Sequence, residues 1–350
     1  MKIAIVIEDI RRTGGTERAT INLANMICDD YKINIISMSS KGEAYFQLSS
    51  KVDLNFLDLP PIPQAIKKKP VWYLKFYKRL KRIISEQKPD IIIGEGHNIS
   101  ILLPSLKTSK SKVIALEHID FSSIPLFSQI LMRWAYRKLD TVIVLSETAR
   151  KKIADLNSHI EIIPNSLPFQ TKNLSSLEEK KLVMVGRISR EKGYERIIPI
   201  ARRMSNDYPE WNIFIYGQGE KQEELQNAFQ INKIKNVHIM KPVKNIQKVY
   251  QDSSVLLMTS YYEAMPMVIL EAQHCGLPVL GYSCEGTDNL IEDGVNGFIA
   301  HSEEDFYDRL GELINDHDLR LRLGKHGREN AGYYNQENIK KKWKDLLKRY

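Results

Sequence analysis

Apolar residues along the chain come in short β-branched runs, each followed by a stretch of helical spacing. KIAIVIE (2–8), INIISM (33–38), DIIIGE (90–95), KVIALEH (112–118) and TVIVLS (141–146) form the first series. Four to seven apolar residues in a row, bounded by Gly, Pro or polar residues, predict strands buried on both faces of a parallel sheet, with helices completing βαβ units. A second series follows with KLVMVG (181–186), NIFIYG (212–217), VHIM (237–240), SVLLMTS (254–260), PVLGY (278–282) and GFIA (297–300). Several of these strands reach glycine at their carboxyl ends, the edge where open α/β sheets take ligands. Between the two series, IIPNSLPFQTKNLSSLEEK carries two prolines and several Ser and Asn, which predicts a hinge.

The expected fold is α/β, with two Rossmann-like doubly wound domains. Their expected bounds are residues 1–168 and 181–334, joined by a linker at 169–180. The last stretch, ENIKKKWKDLLKRY, is helix-like with Trp343, Leu346 and Leu347 on its apolar side. Residues 335–350 are expected to pack back on the first domain. A chain of 350 residues is longer than one core usually serves, which agrees with two domains.

Composition narrows the classes. Hydrophobic content of 43% and charged content of 27% are those of a globular protein, so disorder is not the default. Cys28, Cys275 and Cys284 fall in no metal-ligand spacing, and their odd number argues against a disulfide framework and for a reducing cytosol. The first residues do not read as a signal peptide, and no window reaches the ~18 apolar residues of a membrane span. The expected location is cytoplasmic. A net charge of +8 points to an anionic partner.

Chemistry concentrates in EAMPMVILE, where Glu263 and Glu271 bracket an apolar run. Pro266 suits the first turn of a helix ending near Gly276, so Glu263 lies just ahead of that helix and Glu271 within it. A helix N-terminus attracts anions, and a carboxylate ~8 Å along it is placed to accept ribose hydroxyls when a diphosphate sits at the N-terminus. The alternative is a solvated glutamate and a charge that complements the dipole. GRISREKGYERII (186–198) adds Arg187 and Lys192 on a loop after a strand, both able to reach one phosphate group. IRRTGGTERATINLA (10–24) places Gly14 and Gly15 where a loop faces a ligand or simply turns, with Thr16 as a helix cap. It lacks the GxGxxG spacing of a nicotinamide or flavin site, and no organic cofactor is expected.

GGTER, EH (117–118), IPNS (163–166), GRISREKG, YGQGE (216–220), EAMPMVILEAQHCGLPV and DGVNGF (293–298) together resemble the retaining family-four glycosyltransferases of the GT-B fold. The resemblance spans almost the whole chain in order. It implies two Rossmann-like domains facing a cleft, a nucleotide-sugar donor on the second, a saccharide acceptor on the first, and no metal. By position it assigns Arg187 and Lys192 to the diphosphate, Glu271 to the ribose and Glu263 to the donor sugar. It places the backbone of Ala264, Met265, Pro266 and Met267 at sugar hydroxyls, Gly14 and Gly15 near the donor, and Met240 and Val243 beside the base. His118 corresponds to an active-site histidine. Ala264 stands where the family commonly has Gly, and CEGTDNLI replaces a Gly-Pro-containing turn. A sugar-nucleotide epimerase and a non-catalytic nucleotide-sugar-binding protein are the alternatives.

Asp316–His317–Asp318 spells an Asp-x-Asp metal motif, but it lies between two helical segments where Asp is a common cap. KKKPVWYLKFYKRLKR (67–82) holds eight Lys or Arg and no acid. Its helical spacing turns Tyr73, Phe76 and Leu80 inward. Lys67, Lys68, Lys69, Trp72, Lys75, Lys78, Arg79 and Arg82 are then candidates for an anionic membrane surface, in keeping with a lipid-linked saccharide acceptor at the inner face of a bacterial membrane. No RNP, KH or helix-turn-helix pattern accompanies them, so nucleic acid is not an expected partner.

Overall fold

The computed structural model describes residues 1–63, 65–118 and 121–350. The chain divides into two compact units, one of residues 1–166 with 336–350 and the other of residues 167–335.

In the first unit seven strands form one sheet: β1 (Lys2–Ile7), β2 (Lys32–Ser37), β3 (Asp53–Phe56), β4 (Ile91–Glu95), β5 (Lys112–Leu116), β6 (Thr141–Val144) and β7 (Ile160–Ile162). Their order is β3-β2-β1-β4-β5-β6-β7, all parallel. Such a sheet needs helices on both faces, which explains the unbroken apolar runs of β1, β4 and β5. On one face Phe76 and Leu80 of the helix Lys69–Gln87 share a core with Met132 and Tyr136 of the helix Leu126–Tyr136. The sequence pattern did not disclose β3 and β7. They have four and three residues, are only part-buried over most of their length, and border the sheet, so they carry little of the apolar signal on which strand reading rests.

The helix Gln336–Leu347 closes this unit, burying Ile339, Trp343, Leu346 and Leu347. Lys340 and Lys344 both reach Asp30, at 2.9 and 2.6 Å.

The second unit has six parallel strands: β8 (Lys181–Val185), β9 (Asn212–Tyr216), β10 (Val237–Met240), β11 (Val255–Met258), β12 (Val279–Tyr282) and β13 (Gly297–Ala300). Their order is β10-β9-β8-β11-β12-β13. From β8 the chain moves outward to β9, and from β11 it moves the other way to β12. The neighbouring β8 and β11 therefore mark a topological switch point, where the loops above the carboxyl ends diverge and leave a crevice.

Residues 169–180 are not a free linker. Leu167 and Leu177 are buried in the core of the second unit, Ser175 donates to the carbonyl of Ser253 at 2.6 Å, and the Arg320 guanidinium donates to the carbonyl of Leu177 at 2.9 and 3.1 Å. The polar residues that suggest a hinge instead fasten an irregular segment to its own unit.

Candidate functional site

In the second unit the switch-point crevice holds two of the residues singled out from sequence. Lys192, on the loop after β8, places Nζ 2.5 Å from Oε1 of Glu263, on the loop after β11. The Ser260 hydroxyl donates to the same oxygen at 2.9 Å. One side-chain and one backbone bond align the two loops: Thr259 Oγ1 donates to the Lys192 carbonyl at 2.9 Å, and the Tyr261 amide to the Glu191 carbonyl at 2.8 Å. Gly193 has φ +59°, and a Cβ there would lie 2.4 Å from the Thr259 carbonyl oxygen, so only glycine lets the loops approach this closely. Tyr194 is buried beside them. Burial, followed by the Glu263 charge, holds its phenol above the ordinary range.

Arg187 turns elsewhere. It pairs with Glu191 at 2.7 Å on its own loop and stays exposed. The two cations expected at one phosphate are thus each held by a different carboxylate.

The helix Met267–His274 starts one residue later than expected, with Pro266 in extended conformation as its N-cap rather than in its first turn. Gly276 follows its carboxyl end with φ +83°, and its amide and that of Leu277 satisfy the last carbonyls, which is a glycine stop. Glu271 is the fifth residue of this helix and is 0% exposed. The Tyr250 hydroxyl donates to it at 3.1 Å. Burial and then the charge of Glu271 push the neighbouring Cys275 thiol up to about 12.

The turn CEGTDN acquires a role that the sequence did not suggest. A Cβ on Gly286 would lie 2.6 Å from Glu263 Cβ and 2.7 Å from Pro266 Cδ, so this turn lies flush on the 263–266 loop. Gly217 and Gly219 make the same close approach to the backbone of Gly186 and Ile188. Met240 and Val243 are exposed at the carboxyl end of β10, two strands away from β8.

The first unit gathers a second polar group at its carboxyl edge. His118 Nε2 lies 2.5 Å from Glu95 Oε2, both side chains nearly or fully buried. Register explains the meeting: β4 and β5 pair Glu95 with Leu116, and His118 follows two residues on. Burial opposes the imidazolium, but the Glu95 carboxylate outweighs it and holds His118 above the ordinary histidine range. The adjacent Glu117 accepts from the Tyr136 hydroxyl. Burial raises its carboxyl to about 7, with the Tyr136 bond opposing. Sequence reasoning found His118 and missed Glu95, Glu117 and Tyr136. The available signal was that IIIGE and IALEH both end in glutamate at the same sheet edge.

Gly14 and Gly15 differ from expectation. Neither has positive φ; Gly14 is the N-cap of the helix Gly15–Ile27, and Thr16 lies inside the first turn. A Cβ on Gly14 would lie 2.4 Å from Oε2 of Glu17, so that side chain would have to shift to admit one.

Two further assignments from sequence are settled locally. Asp316 caps the helix His317–Gly332, accepting from the Leu319 amide at 2.8 Å. Asp316→Ala is expected to cost about 1 kcal/mol of stability, with no dependence of that loss on chelator; a thermal melt with and without EDTA checks it. Trp72 is not at the surface: it lies in the core at 5% exposure and donates from Nε1 to the Pro60 carbonyl at 2.8 Å. Arg79 is likewise engaged, with the carbonyls of Leu57 and Asp58. Lys67, Lys68, Lys75, Lys78 and Arg82 are exposed, while Lys69 is half-buried.

Comparison with known proteins follows the same division of the chain. A family model for Glycosyltransferase Family 4 matches residues 13–169, and one for Glycosyl transferases group 1 matches residues 168–330. The chain is 28% identical to an uncharacterized glycosyltransferase of Haemophilus influenzae, over 99% of each. It is 27% identical to the amylovoran biosynthesis glycosyltransferase AmsD of Erwinia amylovora, again over 99% of each. To an α-1,4-N-acetyl-D-galactosaminyltransferase of Campylobacter jejuni, whose name specifies a diphospho-undecaprenol-linked saccharide, it is 24% identical over 99% of this chain and 98% of the relative. Among solved structures, Anabaena HepE in complex with UDP and glucose superposes with a TM-score of 0.81 at 16% identity, covering 100% of both chains. With both of its units matched in order, the chain belongs to the family-four glycosyltransferases of the GT-B fold.

Proposed function

We propose that the protein transfers a hexosyl group, with retention and without a metal, from a UDP-sugar to a lipid-linked saccharide in bacterial polysaccharide assembly. The observation that carries this reading is the Lys192–Glu263 pair at the switch point of the second unit. A donor diphosphate entering the crevice competes with Glu263 for Lys192 and with Glu191 for Arg187. Each cation then moves from a protein carboxylate to phosphate, and Glu263 is released toward the hydroxyls of the sugar. As the glycosidic bond breaks, negative charge grows on the diphosphate, and cations already in place stabilise that charge more than they stabilise the ground state.

Glu271 takes the ribose hydroxyls in this reading, which requires the loop of Ala264, Met265, Pro266 and Met267 to give way, since the carboxylate is enclosed. Met240 and Val243 border the base. Retention fits same-face attack, with a donor phosphate oxygen receiving the acceptor proton as the new bond forms. Gly14 and Gly15 serve the donor in this reading, and His118, paired with Glu95, hydrogen-bonds a hydroxyl of the sugars. The polysaccharide context is supported by the names of the Erwinia and Campylobacter relatives, and UDP by the HepE complex.

The test is incubation with a panel of UDP- and GDP-hexoses and a purified lipid-linked saccharide, with the product's anomeric configuration read by NMR. An α-linked product from an α-donor supports the proposal. Inversion at the anomeric carbon, or release of an epimerised donor without acceptor, contradicts it.

A further inference from the structure

The helix Leu126–Tyr136, LFSQILMRWAY, is apolar on two sides. Met132, Ala135 and Tyr136 enter the core of the first unit. Leu126, Phe127, Ile130, Leu131 and Trp134 point away from it and are between 38% and 73% exposed. At 100° per residue these five fall within an arc of about 140°, so they form one continuous stripe rather than scattered contacts. Large apolar side chains concentrated in this way mark an interaction surface.

The charges around the stripe identify the partner. No acid occurs between Phe121 and Leu139, while Arg133, Arg137 and Lys138 are all exposed. Lys138 holds Nζ 3.6 Å above the Trp134 ring, so cation and aromatic ring occupy one level. The helix Lys69–Gln87 packs on the same face of the sheet and adds the exposed Lys75 and Lys78 beside the exposed Val71 and Leu74. A second copy docked through a self-complementary contact would set these cations against their own kind. Phosphate headgroups would neutralise them. At ~1.5 Å per residue the helix is about 16 Å long, which suits lying in an interface rather than crossing a bilayer.

We propose that the exposed stripe of the helix Leu126–Tyr136 inserts into the headgroup region of an anionic bilayer, with Arg133, Arg137 and Lys138 on lipid phosphates. The contact expected at Trp72 moves to Trp134. The proposal does not depend on the donor or on turnover.

The experiment is flotation of the full chain with phosphatidylcholine vesicles, with and without phosphatidylglycerol, beside the triple variant Phe127→Ser, Ile130→Ser, Trp134→Ser and the triple variant Arg133→Ala, Arg137→Ala, Lys138→Ala. All six side chains are exposed, so thermal melts should show both variants folded. The wild type is expected to float with phosphatidylglycerol vesicles and to release as salt rises. The first variant should bind roughly a hundredfold more weakly, and the second should lose its preference for phosphatidylglycerol. Trp72, Trp211 and Trp343 are buried, so a blue shift of emission on vesicles reports Trp134. No flotation of the wild type, equal flotation of the apolar variant, or a solution dimer that this variant dissolves would each overturn the proposal.

Discussion

Lys192→Ala is expected to lower kcat/KM for sugar transfer by roughly 10²- to 10³-fold, about 3–4 kcal/mol of transition-state stabilisation. The ammonium is the positive charge that the structure places at the crevice between β8 and β11, and it is held there by more than its own stem. The Lys192 carbonyl is fixed by Thr259, and the following residue must be glycine for the loops to meet. In the variant Glu263 loses its cation and keeps the Ser260 hydroxyl. The carboxylate then repels an incoming diphosphate, so donor affinity should fall together with kcat. Steady-state kinetics on a sample with an unchanged fold is the check. A loss below about threefold, or one confined to the acceptor KM, would show that this pair is structural.

The second large effect concerns stability. Glu117 is fully buried, and its carboxyl stands at about 7 against 4.5 for an ordinary glutamate. Below pH 4.5 both the folded and unfolded chains hold this proton, and the contribution to stability is complete. Between 4.5 and 7 the unfolded chain has released it while the folded chain retains it, so stability falls as pH rises; above 7 the fall is complete, at about 3 kcal/mol. Glu117→Gln leaves an acceptor for the Tyr136 hydroxyl and removes the titration. Urea unfolding near pH 5 and near pH 8 should show a smaller difference for the variant by about this amount. The raised His118 acts in the same direction, but its loss begins only above its ordinary 6.5. Glu17, raised by burial, loses stability over the same range, and His97 and His274, lowered by burial, titrate below 6.5, so it is the difference between the wild type and Glu117→Gln that isolates Glu117. Parallel pH profiles for the two proteins would contradict the assignment.

Sequence and structure agree best where one chemical demand dominates. Strands buried on both faces must be apolar throughout, so β1, β4, β5, β8 and β11 were legible from residue type alone. Lys192 and Glu263 were legible because charge at a strand's carboxyl end departs sharply from that apolar background. What was hidden depends on neighbours far along the chain. Glu95 and His118 meet through the register of β4 and β5, and Gly286 faces Glu263 across a turn that reads as a departure from the family pattern. Trp72 and Trp134 show the same limit. Both lie on helices with apolar and basic residues, and only the packing of each helix on the sheet decides that the first is core and the second is surface. The alternative of a solvated Glu271 does not hold, since the carboxylate is enclosed and bonded to Tyr250.

Nucleotide recognition by the second unit is the central claim, and thermal unfolding with and without millimolar UDP, GDP or CMP tests it most directly. The wild type should be stabilised by UDP, by about 2.7 kcal/mol at a hundredfold excess over the dissociation constant. Glu271→Ala, compared with its own nucleotide-free melt, should show almost none of that shift. A folded wild type that no nucleotide stabilises, or a variant that UDP stabilises equally, would contradict the account.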